Sequence, residues 1–243
     1  MAKDSPPVTG SAARRAAAVF LFFAAVALFG DTPIQPASGA WSAGDRLRFP
    51  LWVLLESWPG GEDPVTDSLL QYPLSELRSL APFIIEGMIY GWQFSYTPYD
   101  RTRGVEEHFS CEPLAGLPNR NSGISFTEPR IQEGRLFCWV EFTVTPQVER
   151  QRSRWYSVVY PKVSGTGRGS VTDEAAGIKT AYSQAILNAV REYVRRIEKN
   201  KPKEINGAVL LTEIPRLYIE SGKYVAKLEF ILNVTEVIPY RIF

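Results

Sequence analysis

Residues 170–197 read SVTDEAAGIKTAYSQAILNAVREYVRRI, and this stretch decides the fold. Ala175, Ile178, Ala181, Tyr182, Ala185, Ile186, Ala189, Val190, Tyr193, Val194 and Ile197 recur at helical spacing. Ser170 and Thr172 are helix-capping residue types, and Asp173 and Glu174 suit the positive end of a helix dipole. The pattern predicts a helix over residues 172–199, stopped by Asn200, Lys201 and Pro202. Its alanine-rich stripe lets a sheet come close.

Strands follow. Residues 208–213, 216–219 and 223–234 are strand-like, with Glu220, Ser221 and Gly222 as a tight turn. Tyr224, Ala226, Leu228, Phe230 and Leu232 alternate with polar residues, the pattern of an antiparallel strand with one face on a helix and one in solvent. Upstream, residues 46–56, 83–97, 135–145 and 155–163 read as strands. Residues 104–111 read as a hairpin partner, and 124–127 as a short strand. Residues 146–154 read as a charged connection. A first helix is predicted from Asp63 and Pro64 on the leucines up to Leu80, with a kink or break at Pro73 and an end at Pro82.

The order predicts an α+β fold: two main helices packed on antiparallel sheets, with two similar helix-plus-sheet subdomains as one arrangement. The predicted organisation is a leader with linker over residues 1–40, a first half over 41–150 and a second over 151–243. With 45% hydrophobic and 22% charged residues, the chain has the composition of one that buries a core. A net charge of +1 makes no demand for nucleic acid.

Lys3, Arg14 and Arg15 precede an unbroken apolar run over residues 16–29. As a helix, the run would cover about 21 Å, short of a hydrocarbon core of about 30 Å. Positive charge before a short apolar run is the layout of a secretory signal. Small residues over 37–40 suit cleavage before Ala40 or Trp41, and an uncleaved membrane anchor is the alternative. The chain is therefore expected to be exported to the periplasm or the periplasmic face of a membrane. In that oxidising compartment Cys111 and Cys138 could pair; two buried thiols are the other reading.

Candidate chemistry is thin. Gly165, Gly167 and Gly169 lie between a strand and a helix, but Ser170 stands where a dinucleotide fingerprint needs glycine, so the run reads as a flexible or bulged link. His108 is the single histidine, and its strand neighbour Glu107 points to the opposite face. Asp100, Glu141 and Glu229 are carboxylates that nothing in the sequence brings together. Two cysteines and one histidine make no structural zinc site. No catalytic residue, metal or cofactor is expected.

Two surfaces remain. Tyr90, Trp92, Phe94 and Tyr96 form an aromatic face that a small apolar or lipid ligand could use. Arg152, Arg154 and Trp155, with Arg150 and Tyr156, form a basic-aromatic patch suited to a protein partner or anionic lipid. Arg191, Arg195, Arg196, Lys199, Lys201 and Lys203 gather at the helix end, where cations complement the dipole.

Residues 163–194, VSGTGRGSVTDEAAGIKTAYSQAILNAVREYV, resemble the domain shared by the flagellar assembly T protein and small bacterial envelope lipoproteins. Gly165, Gly167, Ala175, Ala181, Ala185 and Ala189 carry the likeness, which extends over residues 163–234 with the following strands. The resemblance implies a Gly-rich strand leading into an Ala-rich helix and antiparallel strands, and envelope-facing interaction with no enzymatic residues. The chain departs from those lipoproteins in lacking a lipobox Cys at the end of its apolar run. The expected function is a non-enzymatic contact or structural module with an envelope protein as partner. The alternatives are a ligand-binding module and, third, a hydrolase.

Overall fold

The computed structural model describes residues 46–57, 70–117 and 123–240. All belong to the compact unit Pro36–Phe243. The expected leader and the expected helix start at Asp63 and Pro64 lie outside the described residues. The fold is α+β. In chain order it runs β1 (Arg46–Leu54), α1 (Gln71–Ile89), β2 (Trp92–Thr97), β3 (His108–Pro113), β4 (Ile124–Gln132), β5 (Arg135–Thr143), α2 (Pro146–Trp155), β6 (Lys162–Ser170), α3 (Glu174–Ile197), β7 (Glu204–Leu211), β8 (Arg216–Glu220) and β9 (Lys223–Ile238). No helix among the described residues is long and apolar enough to cross a membrane.

The strands form two antiparallel sheets. The larger has the order β3-β2-β7-β9-β6, with β8 also on β9; the smaller is β1-β5-β4. The expected boundary at residues 150 and 151 runs through α2. The larger sheet takes β2 and β3 from one side of it and the remaining strands from the other, with β2 paired to β7. Trp52 ties the two sheets together: its indole N–H donates to the Leu217 carbonyl at 3.2 Å and its ring meets Tyr224.

α3 and β6 fit because, over residues 165–169, β6 has no side chains on the side it turns to the helix. Gly165, Gly167 and Gly169 alternate along the strand, paired to Leu228, Ala226 and Tyr224. A β-carbon on any of them would run into the carbonyl of Ala185, Ala181 or Gly177. The glycine run is thus a regular strand, not the expected flexible link. The expected strand over 155–163 moves to β6, because only the alternating glycines allow this close approach.

α1 departs furthest from expectation. Residues 83–89 are helical rather than the start of a strand. Leu77, Leu80, Ala81, Ile84, Ile85 and Met88 are all buried, so the helix is apolar on nearly every side and its period is hard to see. Pro73 falls in the first turn, where a missing N–H costs nothing, and makes no break. Pro82 is accommodated inside the helix. The helix ends instead at Gly91, whose φ of +86° suits glycine and whose N–H donates to the Glu86 carbonyl at 2.9 Å. Residues 146–154 are likewise a helix. The Thr145 hydroxyl accepts the Val148 N–H, and Pro146 opens the first turn.

Candidate contact surface and cleft

The α2–β6 junction is built from its two ends inward. At the α2 end, Trp155 anchors the helix: its indole N–H donates to the Tyr90 carbonyl at 3.0 Å. Its ring lies over Gly91, which also sits against the Val209 carbonyl and has no room for a side chain. Arg152 donates to the Tyr156 hydroxyl at 3.0 Å and stacks over that ring. Ser157 then folds back on the Arg154 carbonyl through its hydroxyl at 2.7 Å. At the β6 end, the Pro161 carbonyl accepts the Leu232 N–H at 3.0 Å, and Tyr160 packs edge-on to Trp155. Between these pins the apolar residues point outward. Tyr156 is 49% exposed, Val158 52% and Val159 99%.

A cleft of about 380 Å³ opens elsewhere, between Arg78, Ser79, Pro82, Phe83 and Glu86 of α1, Pro113 at the end of β3, and Lys179 of α3. Lys179 donates to the Ser79 hydroxyl at 3.0 Å and lies over the Phe83 ring. Glu86 is only 1% exposed, and its carboxylate accepts the Leu117 N–H at 3.0 Å. That bond ties the segment after β3 to α1, a positioning role with no local signature in the residues around Glu86.

The aromatic face is core rather than surface. Trp92, Phe94 and Tyr96 are buried and Tyr90 partly so. Trp92 stacks on Phe83 at 4.7 Å and meets Tyr182 edge-on, while Phe94 stacks on Phe109. The Tyr96 hydroxyl donates to Glu107 at 2.9 Å. None of the four lines the cleft. Trp92, Phe94 and Tyr96 alternate because β2 lies between β3 and β7 with one face against the helices, and that face is full; Tyr90 closes the end of α1.

Of the two readings of the cysteines, the structure has the separate thiols and not the pair. Cys111 lies in β3 of the larger sheet and Cys138 in β5 of the smaller, and both are free thiols. Burial pushes Cys111 up to about 12, with help from Glu112, and Cys138 up to about 11. A thiol this hard to ionise is a poor nucleophile.

The remaining polar groups are spoken for separately. His108 is exposed at the start of β3, opposite Thr97. Glu107 receives both Arg191 contacts at 2.7 Å. Asp100, buried in the turn after β2, accepts from the Thr102 and Arg103 N–H groups and from the Arg103 guanidinium at 2.6 Å, which holds its carboxyl below the usual range. Glu141 faces Arg48 across the smaller sheet at 3.2 Å. Glu229 stands on β9, where its backbone carbonyl accepts from Thr212. No three metal-ligating side chains converge among the described residues. The basic residues at the end of α3 are partly engaged: Arg196 pairs with Glu192, and Lys201 donates to the Tyr99 carbonyl at 2.8 Å.

A protein-family model matches residues 37–240. A relative described as "Uncharacterized protein" from Treponema pallidum (strain Nichols) is 34% identical over 197 residues, covering 81% of this chain and 83% of that protein. No solved structure matches the chain.

Proposed function

The chain belongs to the family it shares with the Treponema pallidum protein, and we propose that it serves as a non-enzymatic contact module on the periplasmic side of the cell envelope. The observation that carries this reading is the α2–β6 junction, where an outward-pointing apolar tip rises from a solid core. An exposed apolar patch ringed by polar residues is the mark of an interaction site. Ligand binding by the aromatic face would need a cavity, and those rings pack against one another instead. Hydrolysis would need a nucleophile beside a base; His108 and Cys111 share β3, and Cys138 and Glu141 share β5, but each pair is three residues apart along its strand and so falls on opposite faces.

Export rests on the apolar run over 16–29 and the arginines before it. The matched region, 37–240, nearly coincides with the compact unit Pro36–Phe243, so that run stands outside the family module. This supports reading it as a leader or anchor. The resemblance of residues 163–194 to the flagellar assembly T and envelope lipoprotein domain points the same way, and β6, α3 and β7 to β9 follow the order that likeness implies.

Fractionation of cells producing the full chain tests the reading. The protein is expected in the periplasmic or membrane fraction. Recovery from the cytosol with its first forty residues retained overturns it.

A further inference from the structure

Resting on the contact reading above, we infer that the α2–β6 junction docks on the surface of an anionic lipid bilayer, with Val158 and Val159 entering the headgroup–acyl boundary. Three observations choose a bilayer over a protein as the occupant. First, the tip projects. Val159 is 99% exposed, yet the segment is held at Trp155 by the Tyr90 carbonyl and at Pro161 by the Leu232 N–H. An aliphatic pair held out in water in this way suits insertion into a fluid apolar phase, which needs no shaped complement.

Second, the charge is local. The chain as a whole carries +1, but residues 149–162 hold Arg150, Arg152, Arg154 and Lys162 against the single carboxylate Glu149. An apolar tip this small anchors only marginally by itself, and a basic patch beside it supplies the second signal that stable membrane association needs. Third, Trp155, Tyr156 and Tyr160 flank the two valines, with Trp155 bonded to the body and Tyr160 packed on it. Tryptophan and tyrosine favour the headgroup level, where one edge is apolar and the other wet. Arg152 stacked on Tyr156 keeps a cation beside one of these rings.

The test uses the full chain carrying Val159→Cys labelled with an environment-sensitive nitrobenzoxadiazole dye, mixed with vesicles of phosphatidylcholine alone or with phosphatidylglycerol added. Gln132→Cys, exposed on β4, is the control. Attachment through the N-terminal segment alone leaves both labels dim. Val159 is fully exposed, so the substitution leaves the fold intact, and the native thiols resist labelling for the reasons given above. The expected result is a several-fold brightening at position 159 with phosphatidylglycerol vesicles, quenching there by doxyl-labelled lipid, and loss of both in Arg150→Glu/Arg154→Glu. A label at 159 that stays as dim as the one at 132 overturns the inference. So does equal brightening on phosphatidylcholine alone, or brightening that needs an added envelope protein. Any of these leaves the fractionation result, and hence the contact reading, standing separately.

Discussion

The Glu76 carboxylate on α1 accepts the backbone N–H of Ala175 at the start of α3, 2.7 Å away. The first N–H groups of a helix have no partner of their own, and no side chain next to α3 caps it directly. One helix therefore supplies the cap of the other across 99 residues of sequence. Glu76→Ala is expected to cost about 1 kcal/mol of stability. Glu76→Gln keeps the acceptor and should cost little. Urea unfolding of the two variants checks the difference.

The same group sets a pH dependence. Burial raises the Glu76 carboxyl above its ordinary value; the Ala175 N–H and Lys179 oppose the shift, and Glu174 adds to it. A carboxyl whose folded value lies above its unfolded one binds a proton more tightly when folded. Its contribution to stability therefore improves as pH falls from neutral through the folded value, and levels off below the unfolded one. Stability measured against pH in Glu76→Gln should lack this component.

Glu107 runs the other way. Burial works to raise it, but hydrogen bonds from Arg191 and Tyr96 prevail and hold it below its ordinary value. This stabilisation is present above the unfolded value and is lost as pH falls through the folded one. The pair is partly exposed, so Glu107→Gln should cost about 1 kcal/mol or less at neutral pH. The difference from the unsubstituted chain should vanish in acid, as thermal melts across pH would show.

Gly167→Ala tests the fit of β6 on α3. The added carbon meets backbone of Ala181, Gln184 and Ala185 rather than a movable side chain, so helix and strand must part. The expected cost exceeds about 2 kcal/mol. Ser164→Ala, on the outward side of the same strand, should change little.

Free thiols make a simple prediction. The folded protein should show no mobility change on reduction. A thiol reagent at neutral pH should react with Cys111 and Cys138 slowly, then at once after unfolding. A reduction-sensitive band would contradict the placement of the two cysteines in separate sheets.

These features differ in how far the sequence exposed them. α3 and the middle of β9 were readable because each buries one face there, so that Ala181, Ala185 and Leu228, Phe230 fall on a clean period. α1 was not, since burial on nearly every side removes the period and leaves residues 83–89 looking like a buried strand. The glycines of β6 were visible, but their meaning depends on a helix that arrives later in the chain. Of the site, the basic-aromatic patch was legible in Arg152, Arg154 and Trp155. The outward turn of Val158 and Val159 was not, because a short apolar run normally signals core. The pairing of Trp92 with Phe83 and Tyr182, which makes the aromatic face part of the core, joins three elements and has no local signature.

The account stands on delivery of the folded unit across the inner membrane. A membrane-impermeant maleimide applied to spheroplasts producing Gln132→Cys tests this most directly. Labelling before lysis is the predicted result. Labelling only once the inner membrane has been broken would contradict it.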